Sequence, residues 1–235
     1  VPKPTTRRAP KSRAKTASTA RRGRPKDPEK RAAILTAAKQ LFAQAGFEGT
    51  SMDAIAQGAA VSKLTLYSHF ADKDALFTEA VIQTCEEHAP PAFFDPESKL
   101  PLRERLHKIG NGFLDLVMDE EVIGVYRMMA AQARSSGKLG KLFFAAGPAR
   151  TIEQFARLLA AATAAGDLEV PQPERAAGHF FCLLKGVCHL QVLMACRPIP
   201  GPEERRAQVE EAVGLFLRAY APGAGRRPVA RRGDS

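Results

Sequence analysis

Residues 50–73 read TSMDAIAQGAAVSKLTLYSHFADK. Thr50-Ser51-Met52-Asp53 has the pattern of a capping box, which opens a short helix with Met52, Ile55 and Ala56 turned inward. Gly58-Ala59-Ala60 reads as a turn. Ser62 then caps a second short helix, Lys63 to about His69, buried through Leu66 and Phe70. Asp72 caps a longer helix whose inward residues are Leu76, Phe77, Ala80 and Val81. Two short helices joined by a tight turn and flanked by longer ones have the shape of a helix-turn-helix.

The second short helix would expose Lys63, Leu64, Thr65, Tyr67 and Ser68, with His69 and Lys73 close behind. A helix fits the major groove of duplex DNA. Its N-terminal side chains reach base edges there, while flanking donors hold phosphates. The free N–H groups at helix starts, here near Thr50 and Lys73, favour the same anions. The residue types alone leave a second reading open, in which Tyr67 and His69 simply pack on the domain surface. Ala60 carries a conditional expectation: if that turn requires positive φ, alanine is strained there by roughly 1 kcal/mol.

Upstream, Asp27-Pro28 starts a helix with Ile34, Ala38, Leu41, Phe42 and Ala45 on one stripe, and Gly46 ends it. Pro90-Pro91, Pro96 and Pro101 interrupt the helical pattern downstream. Every later segment is again helical in period: one from Leu102, one through Val122–Ala133, one over Lys138–Ala146, and another after Gly147-Pro148. A long apolar segment, Ala176–Ala195, and an amphipathic one through Val209–Leu217 complete the chain. The expectation is an all-α protein of about nine helices. Its parts are a basic arm (1–26), a helix-turn-helix unit (27–88), a larger helical domain (89–221) and a basic tail (222–235).

Charge is concentrated at the ends of the 235-residue chain. Residues 1–26 hold ten Lys/Arg and no acid, whereas residues 27–88 hold five against nine acids, so the net +10 resides in the tails. Such blocks often act as arms on nucleic acid. Arg22-Gly23-Arg24-Pro25 has the core of an AT-hook, for which three readings stand: Arg22 and Arg24 inserted in an A·T-rich minor groove, non-specific attraction to phosphates, or no role on DNA. The four cysteines (Cys85, Cys182, Cys188, Cys196) contain no C-x-x-C pair, which leaves neither a disulfide framework nor a zinc ribbon. Cys85/His88 and His179/Cys182 lack further ligands for a metal, although a thiol-based redox sensor built on Cys182, Cys188 or Cys196 stays open. No phosphate-cradling Gly loop, H-E-x-x-H or nucleophile elbow is present, so neither enzyme nor cofactor is expected. Without a membrane span or signal segment, a cytoplasmic, nucleoid-associated protein is expected.

Val61–Phe77 (VSKLTLYSHFADKDALF) resembles the V-S-x-x-T-L-Y-x-H-F-x-x-K-x-x-L-F run of TetR/AcrR-family transcriptional regulators. Ile34, Ala37-Ala38, Leu41-Phe42, Gly46-Phe47, Thr50-Ser51 and Ile55-Ala56 match the same pattern upstream. The resemblance implies that Thr50 and Ser51 bind phosphate and that Lys63, Leu64, Thr65 and Tyr67 face bases or adjoining backbone. His69 and Lys73 would hold phosphates at the far end. Two departures stand out: Ala60 where the family commonly has Gly, and Leu64, which offers an apolar contact suited to a thymine methyl. Phe143–Arg150 is similar to the AefR-like subgroup. The family further implies a repressor that binds double-stranded operator DNA as a homodimer through its last two helices. It implies an effector pocket among the middle helices, for which Phe113, Tyr126, Met129, Phe143 and Phe155 are candidates and an apolar small molecule the expected occupant. An architectural DNA-coating protein without effector, and an all-α enzyme or carrier that no longer binds DNA, are the rival readings.

Overall fold

The computed structural model describes residues 27–132 and 137–223; the basic arm with Arg22 and Arg24, and residues 224–235 of the basic tail, lie outside them. Among the described residues the regular elements are all helical. They are α1 (Pro28–Gly49), α2 (Met52–Gly58), α3 (Lys63–His69), α4 (Lys73–His88), a 3-10 turn (Pro91–Phe93), α5 (Leu102–Val117) and α6 (Glu120–Gln132). α7 (Gly137–Phe144), α8 (Arg150–Ala164), α9 (Pro173–Leu193) and α10 (Pro202–Ala219) follow. The break expected at Gly147-Pro148 does not occur. A π turn over Ala145–Ala149 carries α7 into α8 without interruption, so the described residues form nine separate rods. Proline has no N–H to give, and a wider turn relieves its clash with the preceding carbonyl.

The first four helices are set by their caps. Asp27 accepts from the Glu29 amide at 3.1 Å. Ser51, Ser62 and Asp72 accept from the amides of Ala54, Thr65 and Ala75 at 3.1, 3.1 and 2.8 Å. Each such bond satisfies an otherwise orphaned helix-start donor, a gain of about 1 kcal/mol. The regular turns of α1 stop at Gly46, where φ is +72° and ψ 175°, a conformation glycine adopts without a side-chain clash. Ile34, Leu35, Ala38, Phe42, Ile55, Leu66, Phe70 and Leu76 close the core of this unit. Within it Phe42, Phe47 and Phe77 form a triangle of rings with centroids 5.3–5.8 Å apart.

A second core gathers Leu106 and Ile109 of α5, Phe155 of α8, Phe180 of α9 and Phe216 of α10. Arg105 is buried and ties the 3-10 turn to α5, donating to the carbonyls of Phe93 and Asp95. By length and composition α9 would suit a membrane crossing. Here Ala176, Ala177, Phe180, Phe181 and Leu184 are packed in the core, and the helix kinks at Gly186 (φ +52°). Gln208 of α10 donates to the Leu183 carbonyl beside that kink at 2.8 Å.

α4 joins the two cores. Arg31 and Lys39 of α1 pair with its Glu79 and Glu87, while Lys138 of α7 and Arg150 of α8 pair with its Asp74 and Glu86. Leu139, Leu142 and Phe143 of α7 and Met129 of α6 pack against the first core.

Candidate nucleic-acid interface and internal cavity

α3 is anchored by Leu66 and by Phe70, which follows the helix, both buried. Its opposite side carries Lys63, Leu64, Tyr67 and Ser68 exposed, with Thr65 and His69 half-buried. Leu64 is 82% exposed, the highest value for a large hydrophobic residue among those described, and Tyr67 is 49% exposed. The Lys63 ammonium donates to the Asp53 carboxylate of α2 at 2.6 Å, and this bond holds its pKa above the ordinary lysine value. The Ser62 and Thr65 hydroxyls lie 2.9 Å apart, and the Ser68 hydroxyl donates to the Thr65 carbonyl at 2.7 Å. Nδ1 of His69 is buried with no hydrogen-bond partner among the described residues. Ala60, in the turn between α2 and α3, has φ +52°, the left-handed conformation on which its expected strain depended.

Two residues expected on phosphates are committed elsewhere. Thr50 is buried, and its hydroxyl lies 2.7 Å from the Gly46 carbonyl and 3.0 Å from that of Leu41. It closes the end of α1 from inside, where the Thr50 amide bonds the Phe47 carbonyl and leaves that of Gly46 to the hydroxyl. Lys73 reaches back from the start of α4 and donates to the carbonyls of Phe47 and Thr50 at 2.7 and 3.1 Å. Its ammonium also stands 4.3 Å from the centre of the Phe47 ring. Here both side chains hold the Gly46–Ser51 turn. Ser51, which caps α2, is exposed.

A cavity of about 430 Å³ lies between α1 and α4 on one side and α5, α6, the π turn, α8 and α9 on the other. Phe113, Tyr126 and Phe143 line it. Met129 and Phe155, the other two candidates, do not. Met129 sits one turn along α6 from Tyr126 and packs on the first core, and Phe155 is wholly buried against Phe180 and Phe216. Phe42 and Phe77 complete the aromatic wall from the helix-turn-helix unit, a contribution that helical spacing had assigned to core alone. Polar groups in the wall include Lys39, Thr84, Glu87, His88, Asp119, Glu121, Thr151 and Lys185. Lys39 pairs with Glu87, and the Thr84 and Thr151 hydroxyls donate to carbonyls one turn back. Burial pushes the Cys85 thiol up to about 11 and the Tyr126 phenol up to about 12, so both face the cavity uncharged at neutral pH. Among the described residues no group of three His, Cys, Asp or Glu could hold a metal ion.

Comparison with known proteins supplies the context. The family model described as "Bacterial regulatory proteins, tetR family" matches residues 34–80, and the one described as "AefR-like transcriptional repressor, C-terminal domain" matches residues 104–222, more than half of the chain. The chain belongs to the TetR family. It is a DNA-binding transcriptional regulator of the helix-turn-helix type. Among curated relatives, the HTH-type transcriptional regulator UidR of Escherichia coli (strain K12) is 42% identical over 66 residues, 28% of this chain and 33% of that protein. The chain thus spans about a third of the length of the curated relatives it matches. A TetR-family regulator from Mesorhizobium loti superposes with TM-score 0.68 at 26% identity, covering 84% of this chain and 99% of that one. The flavonoid-responsive regulator FrrA does so with TM-score 0.62 at 31% identity, over 83% and 99%.

This TetR-family chain has a second exposed apolar patch on α9. Leu183, Val187, Leu190 and Met194 succeed one another at helical spacing, the last three 70, 59 and 69% exposed, and Leu215 of α10 is exposed as well. The sequence carried the α3 residues openly, because the family motif fixes their register. Asp53 as a partner of Lys63 was not legible: the motif says nothing about a carboxylate ten residues upstream. Nor was the inward turn of Lys73, since a lysine at a helix start reads as a surface group until its fold-back is seen.

Proposed function

We propose that the chain acts as a homodimeric repressor that holds its operator through two copies of α3 and leaves it when a small apolar effector enters the cavity. The observation that carries this reading is the outer face of α3. A large apolar side chain and a phenol stand in solvent on a helix whose ends are capped and whose other side is locked in a core. Leu64 and Tyr67 would meet base edges, with a thymine methyl the partner suited to Leu64. Lys63, once drawn from Asp53, and Thr65 would reach bases or their flanking backbone, while Ser51, Ser68 and His69 would face phosphates. Arg22 and Arg24 would add minor-groove contacts beside the operator.

Residues 27–88 would form the DNA-binding unit and 89–221 the effector and dimerisation domain, in a cytoplasmic, nucleoid-associated protein. The exposed stripe of α9 supports dimerisation through the last two helices, since a face of that kind is rarely left to water. The "repressor" in the AefR-like description supports repression. FrrA is by its name flavonoid-responsive, which supports a small-molecule effector. An architectural role without effector would leave an aromatic-lined cavity of about 430 Å³ without use.

Selection of bound sequences from random duplexes tests the proposal. The expected product is an inverted repeat whose half-sites lie about 34–36 Å apart, one turn of DNA. Recovery of unrelated sequences in equal yield would count against an operator.

A further inference from the structure

We infer that the cavity takes a planar aromatic effector that stacks on Phe42 and Phe77, so that the DNA-binding unit forms part of the effector site and senses its occupant through the ring of Phe47. This rests on the effector reading given above and adds to it the chemistry of the ligand and the route of its signal.

The class of ligand follows from the wall. Of the thirteen phenylalanines in the chain, Phe42, Phe77, Phe113, Phe143, Phe144 and Phe181 all face this one cavity, and Tyr126 joins them. Their flat faces and edges favour ring-on-ring contact over flexible alkyl chains. The wall also carries Lys185, Asp119 and Glu121 beside the Lys39–Glu87 pair, while Cys85 and Tyr126 stay protonated, so it is the number of rings rather than a lack of charge that selects the ligand class.

The route follows from two rings, Phe42 and Phe77, that each border the cavity and also touch Phe47, which does not border it, at 5.8 and 5.3 Å between centroids. Phe47 is in turn the clasp of the turn that leads into α2. Its carbonyl accepts from Lys73, its ring lies under the same ammonium, and Thr50 bonds back to Gly46 and Leu41. α6 touches the same turn. A Cβ placed on Gly46 would come within 2.9 Å of Met128 Sδ, and the neighbouring Val122, Val125 and Tyr126 of that helix line the cavity. Displacing the two wall rings therefore presses on the one segment that fixes how α2 and α3 leave α1. The effector shifts the balance of states by its difference in affinity for the two positions of these rings.

The test uses the full chain, a selected operator, and three probes: naphthol and hydroxyflavone as planar phenols and dodecanoate as an aliphatic counterpart. Calorimetry should register binding of the aromatic probes and little of dodecanoate, and anisotropy should register operator release by the same two. Phe47→Leu should bind the aromatic probes and the operator as the parent does, while the probe concentration needed for release rises at least about tenfold. Hydrogen exchange on the unaltered chain provides a second readout that does not depend on the variant folding: the Gly46–Ser51 amides should change protection when naphthol binds. Tighter binding of dodecanoate than of either phenol would overturn the ligand class. Normal release from Phe47→Leu, or unchanged exchange at Gly46–Ser51, would overturn the route. If none of the probes binds while the operator is still held, the effector reading itself falls and this inference with it.

Discussion

Thr50 shows how far a side chain's role depends on the backbone around it. It matches the family pattern at a position associated with phosphate, yet its hydroxyl is turned inward to the carbonyls of Gly46 and Leu41. Thr50→Val should therefore lower stability by about 1–3 kcal/mol in chemical denaturation, because buried carbonyls lose their partner, while Thr50→Ser should keep most of it. A phosphate ligand would behave otherwise, weakening DNA binding with stability intact. Cys85 is likewise set by its surroundings, whereas Cys182 and Cys196, two of the three cysteines of the thiol-sensor reading, are exposed. With the Cys85 thiol pushed up to about 11, only about one molecule in a thousand carries the thiolate at pH 8, since burial disfavours the charged form. Alkylation by iodoacetamide at that pH should mark the exposed Cys182 and Cys196 well before Cys85, with the Cys85 rate rising as the pH approaches 11. Equal rates at all three would contradict the assigned environment.

Among the elements, the turn between α2 and α3 is the place where local preference yields to the global fold. Ala60 holds φ +52°, which an alanine tolerates only because the packing of Leu66 and Phe70 fixes α3 behind it. Ala60→Gly should raise stability by about 0.5–1 kcal/mol in thermal or chemical unfolding without moving α3, the strain relief outweighing the extra freedom of the unfolded chain. The helix starts at Asp27, Ser62 and Asp72 were legible in the sequence because each cap is a local, short-range bond; at α2 the capping-box pattern pointed to Thr50, whereas the cap is Ser51, one residue on. The continuous rod through Pro148 was not, since proline reads as a breaker unless tertiary packing supplies a π turn. The kink in α9 was equally hidden. Gly186 becomes a kink only when Gln208, from another helix, bonds the Leu183 carbonyl beside it. The cavity residues divided in the same manner: Phe113, Tyr126 and Phe143 were accessible from their helices, but Phe42 and Phe77 line it only because α4 joins the two cores.

At the scale of the whole molecule, two exposed apolar surfaces differ in kind. The α9 stripe is broad and aliphatic, suited to its own copy, whereas the α3 face mixes Leu64 and Tyr67 with hydroxyls and an ammonium, suited to a groove. Val187→Glu combined with Leu190→Glu places two like charges on the proposed twofold contact. In sedimentation this variant should run as a monomer and should lose most of its operator affinity, since one α3 alone cannot span two grooves; a dimer of unchanged mass would assign the contact elsewhere. The central claim is that the outer face of α3 reads sequence. It is tested most directly by measuring Tyr67→Ala and its parent against a selected duplex and a scrambled one in the same salt. Tyr67→Ala should bind the selected duplex about tenfold or more weaker while its affinity for the scrambled duplex stays within about twofold, so that discrimination collapses. Equal losses on both duplexes, or no loss on either, would contradict it.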